Sequence, residues 1–284
     1  MAYEHHFIRT NGIALHIVMS GPVNGPVVLL LHGFPEFWYG WRKQIQALAA
    51  AGFRVWAPDQ RGYNLSDKPR GRHAYRMDLI ARDAIGLIEA TGQPQVYLAG
   101  HDWGAMTAWW VALTAPERVR RMAVLNVPHP EISVRHARRD PHQMLRSTYA
   151  AFFQLPRLPE WLLRARNFAL LARTLKGSAR RGTFSDADIG YYRQACSQPR
   201  AFQSMLNWYR AFMIKPVPDR LSRVSVPTTI IWGDKDVALR SVMAEESLAL
   251  CDDGELIWMR GVSHWVQHDA AEAVNETLIA RFCE

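Results

Sequence analysis

Val96-Tyr97-Leu98-Ala99-Gly100-His101-Asp102-Trp103-Gly104-Ala105-Met106 is the stretch on which the fold turns. Val96 to Ala99 is a short apolar run of strand character, and Ala105 to Leu113 reads as a helix. Between them stands a small–x–acid–x–small pattern, Gly100-His101-Asp102-Trp103-Gly104. A strand that turns directly into a helix crowds its own backbone, so glycine is needed on both sides. The central side chain is then thrust out at the sheet edge, beside the helix N-terminus. Here that side chain is the carboxylate of Asp102, not a serine hydroxyl. A helix N-cap is the plainer role for such an Asp; the companion loops below weigh against it.

Strand and helix alternate outward from this stretch. Phe7 to Arg9 and Ile13 to Met19 read as a hairpin. Val27 to Leu31, Phe53 to Ala57 and Val119 to Val127 read as strands covered on both faces. Trp41 to Ala51 and Leu79 to Thr91 read as helices stopped by Gly52 and Gly92. This rhythm predicts an α/β fold, a mostly parallel sheet with helices on both faces. From about Glu131 to Val217 no strand is legible, and the helical text is interrupted by Pro156, Pro159, Gly177 and Gly182. The rhythm then resumes with strands at Thr228 to Trp232 and Leu256 to Met259 and helices at Val242 to Leu250 and Ala270 to Phe282. The expected organisation is one discontinuous core, 1–130 plus 217–284, carrying a helical cap over 131–216.

Composition narrows the class. The 284 residues are 49% hydrophobic with 11 Trp, which argues against disorder, and 18 Gly with 16 Pro is ordinary usage. No run of 18 apolar residues is present, so no membrane span is expected, and Met1 to Gly12 has no signal-peptide pattern. Cys196, Cys251 and Cys283 are too few and too scattered for a disulfide frame or a zinc site. They fit buried thiols in a cytoplasmic protein. The net charge of +8 would suit an anionic partner, but +6 of it falls in residues 131–190, as arginines dispersed through apolar helical text. With no nucleic-acid-binding motif, a solvated basic face is the expected reading and nucleic acid is not an expected partner. Oligomeric state is not legible.

In open parallel sheets the site lies beyond the strand C-termini. After Val27 to Leu31 comes His32-Gly33-Phe34-Pro35, a loop able to aim a backbone N–H inward; the Phe34 and Trp103 N–H groups are the candidate oxyanion hole. After Thr228 to Trp232 comes Gly233-Asp234-Lys235-Asp236, and after Leu256 to Met259 comes Gly261-Val262-Ser263-His264-Trp265. Nucleophile, then acid, then His is the chain order of a hydrolase triad on this type of sheet. Spacing alone leaves Asp234 and Asp236 both open as the acid. Phe37, Trp38 and Trp41 follow the Phe34 loop and are candidates for an aromatic substrate pocket, or for ordinary packing.

The residue type at the elbow has a chemical meaning. Serine attacking saturated carbon would leave an ether, a dead end. A carboxylate attacking saturated carbon leaves an alkyl ester, whose carbonyl water can attack. Asp102 therefore points to alkyl chemistry: opening an epoxide or displacing a halide.

Taken together these residues resemble the α/β-hydrolase superfamily and, more narrowly, the epoxide hydrolase family. The resemblance covers nearly the whole chain. It rests on His32-Gly33-Phe34-Pro35-Glu36, on Asp59-Gln60-Arg61-Gly62-Tyr63-Asn64-Leu65-Ser66-Asp67, on the Asp102 elbow and on Gly261-Val262-Ser263-His264-Trp265. Members carry a helical lid between the strands at 119–127 and 228–232. Two lid tyrosines are typical, and Tyr149-Ala150-Ala151-Phe152-Phe153-Gln154 and Asn207-Trp208-Tyr209-Arg210 match their segments. The resemblance implies that Tyr149 and Tyr209 are the epoxide-oxygen donors and that Asp236 is the triad acid. Other superfamily members place the acid where this chain has Leu125-Asn126-Val127, without a carboxylate. Arg157 stands where relatives often have Gly. The implied activity is conversion of a small apolar epoxide to a 1,2-diol, through an ester on Asp102 hydrolysed by water that His264 activates, without metal or organic cofactor. A haloalkane dehalogenase shares the fold, the Asp and a Trp after it, but usually has Asn or Glu at the position of Phe34 and lacks the tyrosine pair. A fluoroacetate dehalogenase would have Arg at the position of Trp103. A non-catalytic binding protein on the same fold would have no use for Asp102, Asp236 and His264 together.

Overall fold

The computed structural model describes residues 2–212, 214 and 223–284. Its centre is a sheet of eight strands: β1 (Glu4–Thr10), β2 (Ile13–Ser20), β3 (Val27–Leu31), β4 (Arg54–Pro58), β5 (Val96–His101), β6 (Val119–Leu125), β7 (Thr228–Gly233) and β8 (Gly254–Met259). The strand order is β1-β2-β4-β3-β5-β6-β7-β8. β1 and β2 form the expected hairpin, β2 meets β4 antiparallel, and every later neighbour is parallel. The order reverses around β3, so the loops after β3 and β5 emerge side by side, with Leu31 opposite Gly100.

The continuous apolar strands are explained by what covers them. Val28 and Leu30 face a layer in which Ile45 and Leu48 of the helix Arg42–Ala50 pack with Val274, Leu278 and Phe282 of the helix Ala271–Cys283. Leu29 and Leu31 face the opposite layer, with Ile80 and Leu87 of the helix Met77–Ala90 and Ala105 and Trp109 of the helix Trp103–Thr114. Successive strand side chains point to opposite faces, and both faces are dry. The helix Trp103–Thr114 is sheathed nearly all round, which explains its lack of a polar face. Cys196 and Cys251 are buried, but Cys283, expected inside, is exposed at the last turn of the terminal helix.

Between β6 and β7 the described chain holds six helices and no strand: Pro130–Arg139, Pro141–Arg146, Thr148–Phe152, Leu158–Ser178, Asp186–Ser197 and Ala201–Phe212. Proline at the first positions of several of them starts each turn without wasting a donor. Ser185 and Asp188 form a reciprocal cap for the helix Asp186–Ser197. The long helix Leu158–Ser178 is broken at Ala165–Phe168, where Arg166, Asn167 and Phe168 take φ between 50° and 57°. The expected return to the core at Val217 lies outside the described residues. Among the described residues no helix is long and apolar enough to cross a membrane.

Candidate active site

The turn from β5 into the helix Trp103–Thr114 forces Asp102 to φ 51°, ψ −125°, a conformation costly for a residue with a side chain. Close packing holds it there. A Cβ on Gly104 would strike the carbonyls of Leu31 and His32, and one on Gly33 would overlap the Asp102 side chain itself. The elbow is thus pressed against the loop after β3, and the Phe34 N–H donates to Asp102 Oδ1 at 2.7 Å. Trp103 follows as the first helical residue, where backbone N–H groups have no acceptor a turn earlier.

His264, on the loop after β8, directs Nε2 toward Asp102 Oδ2 at 3.6 Å and Nδ1 toward Asp236 Oδ2 at 2.7 Å. Asp236, rather than Asp234, is the partner. Asp234 accepts instead from the Gly261 N–H at 2.7 Å. Asp236 Oδ1 accepts from the Ala238 and Leu239 N–H groups and Oδ2 also from the Asn126 carboxamide at 2.7 Å. Burial opposes ionisation of Asp236, but His264 and these donors outweigh it and hold its pKa below the usual carboxylate value. Burial likewise pulls against a charged His264. The Asp236 carboxylate, helped by Asp102, overcomes that pull and raises the imidazole to about 10. Both carboxyl groups thus favour the charged form of the ring, Asp236 foremost.

Asn126 was legible only as a missing carboxylate. In the fold it leaves β6 with φ 52°, fully buried, and its side-chain oxygen accepts from the Gly233 N–H at 2.9 Å while its amide holds Asp236. An Asn just past a buried strand was the available signal, since Asn tolerates that backbone region.

A cavity of about 390 Å³ opens over Asp102. Asp102 and His264 line it together with Phe34, Phe153 and Trp265, with Leu163, Leu171 and Leu175 of the broken helix, and with Tyr149 and Tyr209, of which Tyr149 is partly open to solvent. Tyr209 stacks edge-on against Phe34 (5.4 Å between centroids) and Trp103 (5.0 Å), and its ring lies 6.0 Å from that of Tyr149. Desolvation first, then the nearby carboxylates, pushes both phenols above their ordinary pKa; Tyr209 also feels Tyr149. Both are protonated donors at neutral pH. Phe37 and Trp38, expected in the pocket wall, do not line it. Phe37 packs one layer behind, against Leu175 and Trp265, and Trp38 stacks with Tyr3 and His5 of the hairpin. A short helical turn at Trp38–Trp41 swings these aromatics away from the sheet edge.

Sequence reasoning also missed the carboxylate behind the site. Glu36 is fully buried and is contacted by Tyr192 Oη (2.8 Å), Gln267 Nε2 (2.9 Å), His268 Nε2 (2.6 Å) and His101 Nδ1 (3.2 Å). Burial resists its charge, yet His268 and His101 hold its pKa well below the usual range. His101 Nε2 lies 2.9 Å from the His264 carbonyl, so the cluster braces the backbone that carries the imidazole. The signal was an acid in an otherwise apolar Phe34-Pro35-Glu36-Phe37 segment, which has to be paired if it is buried.

The assembled parts suit a carboxylate attack at carbon, with proton donors on the far side of the cavity, a base beside the attacking group and an N–H at the carboxylate's other oxygen.

Comparison with known proteins shows the family of the chain. A family model described as the alpha/beta hydrolase fold matches residues 26–271. The chain is 43% identical over 273 residues to the AB hydrolase superfamily protein YfhM of Bacillus subtilis, covering 96% of each. It is 35% identical over 277 residues to human Epoxide hydrolase 4 (Homo sapiens), covering 95% of this chain and 76% of that one. Among solved structures, an epoxide hydrolase of Bacillus megaterium in complex with an inhibitor superposes with a TM-score of 0.89 at 28% identity, over 98% of this chain and 100% of that one.

Proposed function

The chain belongs to the alpha/beta hydrolase family and, within it, to the epoxide hydrolases, enzymes acting on ether bonds; on that premise we propose that it opens a small apolar epoxide to a 1,2-diol by way of an ester on Asp102. The reading is carried by one arrangement: two protonated phenols, Tyr149 and Tyr209, share an apolar cavity with a carboxylate that already has an imidazole at its side.

In the first step Asp102 Oδ2 attacks a ring carbon. Oδ1 is engaged by the Phe34 N–H, which leaves Oδ2 as the free nucleophile. The ring C–O bond breaks, and Tyr149 and Tyr209 hydrogen-bond the departing oxygen and supply its proton. Between the steps the proton on His264 is lost through solvent, and the phenolate left by ring opening regains one. In the second step the neutral His264 takes a proton from water as its oxygen adds to the ester carbonyl. The tetrahedral intermediate collapses with cleavage of the Cγ–Oδ2 bond, and the diol leaves with Oδ2 and a proton from His264. The carboxyl of Asp102 then returns its proton to the imidazole. Forming the ester removes the negative charge of Asp102, one of the influences that raise the His264 pKa, so the imidazole gains the ability to act as a base. Asp236 keeps the ring oriented through Nδ1 and balances the charge that it acquires. The oxyanion forms on Oδ1, where the Phe34 N–H already sits and the Trp103 N–H completes the pair; one such donor is typically worth about 10²–10³ in rate. The helices of 131–216 act as a cap that excludes water and carries both tyrosines. The tyrosine pair supports ring opening over halide displacement, since a departing halide needs no proton. Three unpaired cysteines suit a cytoplasmic setting.

A single turnover of excess enzyme with styrene oxide in ¹⁸O-water tests the reading. The expected result is unlabelled diol and one ¹⁸O in the peptide that contains Asp102. Label in the first-turnover diol would exclude an ester on the enzyme.

A further inference from the structure

A second cleft, of about 540 Å³, lies between the loop Pro69–Arg72 and the outer face of the helix Ala201–Phe212. Arg200, Gln203, Asn207 and Arg210 recur at helical spacing along that face, and Arg70 and Arg72 stand on the loop opposite. Among the described residues no acidic one lines the cleft. Arg210 is committed: its guanidinium binds both oxygens of Glu160 (2.6 and 3.1 Å) and the carbonyls of Phe153 and Leu155. Among the described residues the guanidinium groups of Arg70, Arg72 and Arg200 make no hydrogen bond or ion pair, while the Arg200 carbonyl accepts from the Ser204 N–H at 3.0 Å. Asn207, 8% exposed as a residue, lines the cleft, and its carboxamide likewise makes no hydrogen bond among the described residues. Its polar atoms are not sealed off but open onto the cleft, where a partner that enters could meet them. The walls are braced: the Tyr75 hydroxyl bridges the Pro69 carbonyl and Ser204 Oγ, both at 2.8 Å. Beside the cleft, burial above all lowers the Lys68 pKa, Asp59 and Asp67 oppose it, and the Arg200 charge adds a smaller push downward.

We propose that this cleft binds a small multivalent anion of the phosphate class, gripped by the guanidinium groups of Arg70, Arg72 and Arg200 and oriented by the Asn207 amide. Guanidinium forks match phosphate oxygens two at a time. Three guanidinium charges with no partner among the described residues call for more than one anionic group, and the volume falls within the roughly 300–1,000 Å³ of small-molecule sites. The site is separate from the cavity over Asp102 and does not depend on the reaction proposed there.

Calorimetric titration of the whole protein with pyrophosphate at low ionic strength tests it, with three variants. Arg70→Gln/Arg72→Gln/Arg200→Gln is expected to weaken binding by about tenfold or more. Arg164→Gln/Arg166→Gln/Arg173→Gln makes the same change in net charge on the exposed cap helix and is expected to leave binding within about twofold, as distant solvated charges are largely screened. Asn207→Leu, which alters no charge, is expected to weaken binding by several-fold; melting curves verify that each variant folds. Equal losses in the two arginine variants would reduce the effect to net charge and overturn the proposal. So would binding of a single-stranded oligonucleotide without binding of pyrophosphate, which would make the cleft part of a polyelectrolyte surface.

Discussion

His264 Nε2 stands 3.6 Å from Asp102 Oδ2, close enough for the carboxylate to favour the imidazolium yet beyond hydrogen-bonding distance. The ring is thus coupled to the elbow by charge and to Asp236 by a bond, and the two couplings are separable by experiment.

Hydrolysis of the proposed ester needs a neutral His264, while Asp236 favours the charged form. The rate of intermediate decay, followed by stopped-flow fluorescence, should therefore rise with pH. In Asp236→Asn the rising limb should move to lower pH, because the main influence that raises the imidazole is gone. A limb that stays in place would separate the base from this pair.

The same shift has a consequence for stability. The folded-state pKa of His264, about 10, lies above its unfolded value of about 6.5. Its contribution is fully present below the unfolded value and is lost as pH climbs through the folded one. Denaturation midpoints of the native protein and His264→Gln should be furthest apart near pH 6 and converge toward pH 10, provided the pH dependence of other groups cancels between them. A gap independent of pH would mean that the residue stabilises by packing alone.

His264→Gln should also stop the second step while sparing the first. Loss of a general base typically costs about 10²–10⁴ in rate. Intact-mass spectrometry after mixing with an epoxide should show a single adduct, confined to the Asp102 peptide. Unmodified protein after prolonged incubation would contradict the two-step route.

Tyr149→Phe and Tyr209→Phe should each slow ring opening, and the double variant should nearly abolish it, with little change in the pH limb that His264 sets. Tyr209 is packed on Phe34 and Trp103, so its loss of function should come with retained melting temperature. Normal ring opening in the double variant would remove the pair from the mechanism.

Arg157 occupies φ 61°, ψ −30°, on the positive side that favours glycine. Arg157→Gly removes a strain of roughly 1–2 kcal/mol at the expense of about 0.5–1 kcal/mol of added chain entropy. The net expectation is a small rise in melting temperature by calorimetry, with turnover maintained. A clear destabilisation would mean that the Arg157 side chain supports the turn.

Most of the strand pattern was legible because β3, β5 and β7 are apolar on both faces, and that pattern follows from burial alone. The loops after β3, β5, β7 and β8 could be ranked because glycine sits where backbones press together, as at Gly33 and Gly104. What could not be read depends on long-range partners. Nothing local tells that Asn126 reaches Asp236, 110 residues away, or that Glu36 gathers His101, Tyr192 and His268. The aromatic run Phe37 to Trp41 misled for a related reason: composition marked it as apolar, but its direction is set by a turn that no periodicity announces. The departure at Arg157 was visible as a residue type, and only the backbone shows that its position takes a positive φ.

The interruption at Ala165–Phe168 means that the leucine wall of the cavity is built as two plates rather than one. Leu163 belongs to the first; Leu171 and Leu175 belong to the second. Two plates joined by a few left-handed torsions can differ in how firmly they hold their place, and a bulky epoxide is expected to disturb the first more than the second. Amide hydrogen exchange across 165–168, with and without a large epoxide analogue, is where such an articulated wall would register.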